Sequence, residues 1–306
     1  MTTHAIVTQV LGHAVEAAGA RELAAFQGAL RRLAATDWDL PTAASGATIA
    51  DVVVHVSAGT TRLAQAWSRR LDPDPGPMQH PIHDPGAPVD PESAPSSRDA
   101  ESLLAAYVDS VQRLLNALAT CRLDDWAWPV WSPLGGTETL ASAARRWLAH
   151  HRVHHHDVVA AVGRTAVTDD DTDALVNEFV LDAMARRGGP AVTPPLRVEV
   201  IVDPPGAGTW TLVIDAPHVP EDLPPLWREI VAPEERREIH RLERGAADDG
   251  RLIIRTDGET LWRAAFRRGA AWRDLAVHGD DGARGEWARL LAAVASDTSL
   301  FGPVVA

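Results

Sequence analysis

The chain has 306 residues, room for two ordinary domains, and its 45% hydrophobic and 23% charged residues are those of a globular protein with a sizeable core. The formal charge is −13, and every basic residue other than histidine is arginine. That balance excludes a nucleic-acid surface, which needs a clustered positive field. No run reaches the length of a membrane span, so neither nucleic acid nor membrane is expected as a partner. The single cysteine, Cys121, cannot close an internal disulfide. The start, Met1-Thr-Thr-His, has no basic segment ahead of its apolar residues. A cytoplasmic protein is the expectation.

Residues 5–35 read as a helix, with Leu23, Phe26, Leu30 and Leu33 at helical spacing and a possible break near Gly19. Trp38 to Gly46 reads as a turn. Thr48 and Asp51 then have the spacing of a capping box, opening a second helix through Val52, His55, Val56, Leu63 and Trp67. From Leu71 to Ser97 the chain is rich in Pro, Gly and Asp and has no periodicity, as a long loop would. A third helix is expected over 99–119. Asp125-Trp-Ala-Trp-Pro-Val-Trp-Ser-Pro reads as a crossover, and a fourth helix over 137–162 stops at Gly163. Four such helices make a bundle.

After a helix over 171–186 the pattern changes. Leu196 to Val202 and Thr209 to Ile214 alternate with a period of two, and Arg251 to Thr256 and Asp274 to His278 are further strand candidates. Residues 260–268 and 285–295 read as helices. The class is therefore α+β: a bundle over 1–165, a connecting helix or linker over 166–190, and a smaller α/β domain over 191–306.

Five of the thirteen histidines fall within seven residues: His150, His151, His154, His155 and His156. Positions i and i+4 share a helix face, so His150/His154 and His151/His155 are each able to supply two corners of a metal site. Zinc accepts neutral imidazole, and catalytic sites keep three protein ligands and one open position. His55, in the apolar run Asp51-Val-Val-Val-His-Val, is the candidate third ligand, although a histidine on an apolar helix face is more often a buried core residue. Periodicity does not choose between the two pairs.

Three segments carry a family resemblance. They are Trp38-x-x-Pro41-Thr, Thr48-Ile-Ala-Asp51-Val-Val-Val-His55-Val, and His150-x-x-x-His154-x-x-Asp157-Val with Gly163 behind it. Together they resemble the mycothiol-dependent maleylpyruvate isomerase family, within the DinB-like superfamily of metal-binding four-helix bundles. Thr260 to Arg268, followed by Asp274-Leu-Ala-Val-His-Gly-Asp, is similar to the sterol-carrier-like domain of that family. The resemblance implies a DinB-like bundle followed by that domain.

It also implies the site. Asp157 sets the frame on His154 and position 150, making His55, His150 and His154 the ligands of Zn2+ and leaving His151, His155 and His156 to support or packing. The isomerase pattern has Glu where this chain has His150; three histidines match the thiol S-transferase branch instead. The implied cosubstrate is a low-molecular-weight thiol, mycothiol, whose thiolate attacks a small electrophile. Elimination after bond rotation gives cis–trans isomerisation, and retention gives an S-conjugate. Asp157, Arg263 and Arg267 are the implied catalytic residues, with Arg268 and Trp131 contacting the cofactor thiol. Cys121 reads as structural. Two other readings stay open: an iron-dependent enzyme like the sulfoxide synthases, and a non-enzymatic carrier of an apolar ligand with a structural metal.

Overall fold

The computed structural model describes residues 3–44, 46–69, 98–131, 137–167, 169–193, 195–215, 240–246, 252–265 and 275–296. It divides into two compact units, one built on residues up to Val176 and the other on Asn177–Ser296. The break falls within a helix, inside the segment expected to connect the halves.

In the first unit α1 (Thr3–Leu30) is one continuous helix. Val15, Ala18, Leu23, Phe26 and Leu30 form its buried stripe. Gly19 does not break it. A Cβ there would come within 3.3 Å of the Trp147 ring, so the glycine serves close approach between helices.

A 3-10 turn, Ala35–Asp39, buries Trp38. α2 (Ile49–Arg69) then opens on the expected capping box: Thr48 N donates to Asp51 Oδ2 at 2.9 Å, and Asp51 N donates to Thr48 Oγ1 at 3.2 Å. α3 (Ala100–Ala119) is capped by Asp99, which accepts from Ser102 N, and buries Leu103, Tyr107, Val111 and Leu114. A second 3-10 turn, Leu123–Ala127, buries Trp126 edge-on against Trp67, ring centres 4.7 Å apart. Trp67 Nε1 in turn donates to Cys121 Sγ, which fits a structural cysteine.

The crossover ends differently from the sequence expectation. Pro129–Trp131 (β1) pairs antiparallel with Thr137–Thr139 (β2). The helix expected from 137 therefore begins three residues later, as α4 (Leu140–Ala161), with Thr139 as its cap. Two β-branched threonines flank Glu138 in β2, and such residues favour a strand. Gly163, at φ +68°, follows the last turn as expected.

α4 is buried on nearly all sides, its charged and histidine residues included. A helix of this kind is a bundle's central rod and must satisfy its polar groups internally. α5 (Asp170–Gly188) begins with Asp170, Asp171 and Asp173 in its first turn, the favourable sign for a helix start.

The second unit is a five-stranded sheet in the order β5-β4-β3-β6-β7. Its strands are β3 (Leu196–Asp203), β4 (Gly208–Ile214), β5 (His240–Arg244), β6 (Leu252–Asp257) and β7 (Ala276–Gly279). β3 is central, antiparallel to β4 and parallel to β6. Leu196, Val198, Val200 and Val202 make its buried side, the period-two pattern read from sequence. β5 was not foreseen; its His-Arg-Leu-Glu-Arg run is too polar to stand out, and it pairs at the sheet edge.

Two helices belong to this unit. α6 (Gly258–Ala265) places Trp262 Nε1 on Asn177 Oδ1 at 2.7 Å. α7 (Asp281–Ser296) starts four residues before its expected position, because Asp280 caps it by accepting from Ala283 N. The fold is thus α+β, as expected. Among the described residues no helix is long and apolar enough to cross a membrane.

Candidate metal centre

His55 lies on the second turn of α2, and His150 and His154 lie one turn apart on α4. The two helices pack together, and the three rings meet. Their centres are 4.8 Å apart for 55 and 150, 5.2 Å for 55 and 154, and 4.6 Å for 150 and 154. His55 Nε2 and His150 Nε2 are 2.7 Å apart, and one ligand nitrogen from each ring lies within 4.8 Å of the other two. Tetrahedral ligands at zinc–nitrogen distances of about 2.0–2.1 Å sit about 3.3 Å from one another, inside the range these nitrogens span.

The donor chemistry fits a divalent metal as well. His154 Nδ1 donates to Asp157 Oδ2 at 3.1 Å, an i,i+3 contact on the same helix. A carboxylate there fixes the tautomer, turns Nε2 into the lone-pair donor and increases its basicity, the usual support for a metal-binding histidine. His150 and His154 are buried while His55 is half-buried.

The second i,i+4 pair lies about 100° further round the helix and meets a different neighbour. His155 Nδ1 donates to Glu22 Oε1 at 2.8 Å, and His151 Nδ1 approaches the same oxygen at 3.3 Å. Tyr107 Oη bonds the other nitrogen of His151 at 2.9 Å. Arg152 spans Glu22 Oε2 at 2.8 Å and Asp173 Oδ1 at 2.9 Å.

Burial alone would push the Glu22 carboxyl up. Nearby His155, the bonds from His151 and His155, and the Arg152 charge outweigh it and hold the group well below the usual carboxylate range. Burial likewise lowers His151 below an ordinary histidine, against the pull of Glu22. These groups tie α4 to α1, α3 and α5 and leave His150 and His154 to face α2.

Glu22 and Arg152 were missed at the level of sequence. The one available signal was the spacing of Glu22 and Phe26, which puts an acid on the buried stripe of α1.

The remaining sequence candidates fall elsewhere. Arg263, on α6, pairs with Glu259 at 2.6 Å. Arg267 and Arg268 lie outside the described residues. Trp131 contributes its backbone to β1 opposite Thr137, and its side chain lies outside the described set. Trp126 is core, and Trp128 is 38% exposed.

Three imidazoles from two facing helices of a bundle, one backed by a carboxylate, make a helical bundle with a cluster that could hold a metal ion. Residues 19–159 match the family model described as mycothiol maleylpyruvate isomerase N-terminal domain, so the helical unit is similar to that domain. Two solved structures are similar at low identity. One, a histidine-to-alanine variant of the mycothiol-dependent maleylpyruvate isomerase, shares 14% identity over 92% of this chain and 97% of its own, with a TM-score of 0.49. The other, the mycothiol-dependent maleylpyruvate isomerase, shares 14% over 88% of this chain and 93% of its own, with a TM-score of 0.47. No curated protein matches the sequence.

Proposed function

We propose that the protein is a zinc enzyme that uses a low-molecular-weight thiol, mycothiol, as the nucleophile against an electrophilic small molecule. The observation that carries this reading is the convergence of His55, His150 and His154, with Asp157 behind His154, in a bundle similar to the mycothiol maleylpyruvate isomerase N-terminal domain. The three histidines would hold the metal. Bound zinc supplies Lewis acidity, which lowers the pKa of a thiol from about 8.5 so that the nucleophilic thiolate prevails at neutral pH.

The protein's own residues do the positioning. Asp157 accepts the Nδ1 proton of His154 and aims Nε2 at the shared point. Burial of His150 and His154 keeps water from two sides of that point, and the half-buried His55 marks its more open side.

Three neutral ligands leave a dication's charge uncancelled, where an acidic residue at position 150 would offset part of it. That favours a firmly held thiolate, and so S-transfer beside thiol-assisted cis–trans isomerisation of the maleylpyruvate type. Arg263 and Arg267 as substrate contacts, and Arg268 and Trp131 as thiol contacts, belong to the proposal through the sequence resemblance alone.

Two measurements test the reading. Metal analysis of the purified chain is expected to give about one zinc per chain, lost in His55→Ala and His154→Ala. Mass spectrometry after incubation with zinc, mycothiol and candidate electrophiles is expected to reveal an isomerised product or a mycothiol conjugate. Unchanged metal content in both variants removes the proposal.

A further inference from the structure

Arg146 stands one turn before His150 on α4, so positions 146, 150 and 154 succeed one another at about 6 Å intervals along one side of the helix. Its side chain is fully buried, at 0% exposure. Glu138, on β2, accepts from Nη2. Nε and Nη1 are buried as well and meet no acceptor among the described residues. A guanidinium is a permanent cation with five N–H donors, and a buried donor left unmet costs about 1–3 kcal/mol. Arg152, six residues on, bonds four acceptor oxygens: one of Glu22, both of Asp173 and the Val167 carbonyl.

Guanidinium geometry says what would fit. Nη2 carries one N–H on each of two edges, one shared with Nε and the other with Nη1. Glu138 engages Nη2 through a single oxygen, which leaves the opposite edge with two parallel donors. Such a fork matches a flat oxyanion, above all a carboxylate.

We propose that Arg146 receives a carboxylate of the molecule that reacts at the three histidines, and so selects anionic substrates. The proposal rests on the function proposed above for that histidine site, and it adds a recognition residue that lies within the bundle itself. Burial holds the guanidinium below the usual arginine value against the pull of Glu138, so the cation gains from a further anion. Desolvation strengthens the bonds such an anion would make. Glu138 is the rival: a ligand carboxylate and the Glu138 side chain compete for one cation.

The test is calorimetric titration of the full chain, preincubated with zinc, using maleate as a simple dicarboxylate probe and its neutral diamide as the control. Maleate is expected to bind at least tenfold more tightly than the diamide. Arg146→Lys, which keeps the charge and loses the fork, is expected to weaken maleate at least tenfold with the zinc content unchanged. Glu138→Gln, which removes the rival, is expected to tighten it.

Equal maleate affinity in Arg146→Lys overturns the proposal. Should that variant fail to fold, unchanged or weaker binding in Glu138→Gln overturns it instead. Zinc counted in the same samples separates the two ideas. Maleate binding that depends on Arg146 in a chain holding no zinc supports the anion site and removes the metal reading. One zinc per chain, with maleate indifferent to Arg146→Lys, does the reverse.

Discussion

On α4, His150 and His154 turn toward α2, whereas His151 and His155, each one residue further on, turn toward α1. Residue type, spacing and burial are the same on the two faces. The partner differs. Across from the first pair stands another imidazole, His55; across from the second stands a carboxylate, Glu22, tied down by Arg152. An imidazole whose Nδ1 proton goes to a carboxylate can still offer Nε2 to a metal, and His154, with Asp157 behind it, is placed to do so. His151 has no such freedom, because Tyr107 bonds its other nitrogen. The neighbouring helix, more than the histidine, decides which pair can act as ligands.

The comparison is broken most severely through the α1 face. Glu22→Ala leaves Arg152 with Asp173 as its remaining carboxylate partner and takes the shared acceptor from two histidines, and removing one partner of a buried ion pair costs about 3–5 kcal/mol. Urea denaturation measures the loss. The effect also has a pH signature. Glu22 has its carboxyl held below the ordinary glutamate value of 4.5, so its contribution is complete above that pH and fades as acid protonates the folded state. The gap between wild type and variant therefore narrows below pH 4.5.

The metal face answers to a different perturbation. Zinc at a hundredfold excess over its dissociation constant adds about 2.7 kcal/mol to the wild type. The same addition is expected to stabilise Glu22→Ala and to do nothing for His154→Ala, with the shift read from melting curves. Asp157→Asn sharpens the contrast within one face: zinc affinity falls about 10–100-fold, while the metal-free protein unfolds close to wild type. Last comes Thr48→Ala on α2, which removes half of a capping box and costs about 1 kcal/mol without altering zinc stoichiometry.

Much of the bundle was legible before any coordinates. The Thr48–Asp51 box, the 3–4 spacing on α3 and the stop at Gly163 each follow from local physical chemistry, and the structure realises all three. What escaped was what depends on the neighbour. Gly19 reads as a helix breaker until Trp147 is seen against it. Thr137 to Thr139 reads as the first turn of a helix until β1 pairs with it. The two histidine pairs were indistinguishable by period alone, and family resemblance selected the one that the geometry brings to His55. Arg146 gave no signal, since one of two successive arginines in a helix usually marks a solvated face, and its burial follows from the packing around α4. The arginines foreseen as site residues sit on α6 or outside the described residues.

X-ray absorption at the zinc edge, on the zinc-loaded full chain, tests the central claim most directly. Convergence of His55, His150 and His154 on one ion predicts three imidazole nitrogens at about 2.0–2.1 Å, reduced to two in His55→Ala. A shell dominated by carboxylate oxygens, or a spectrum untouched by His55→Ala, contradicts it.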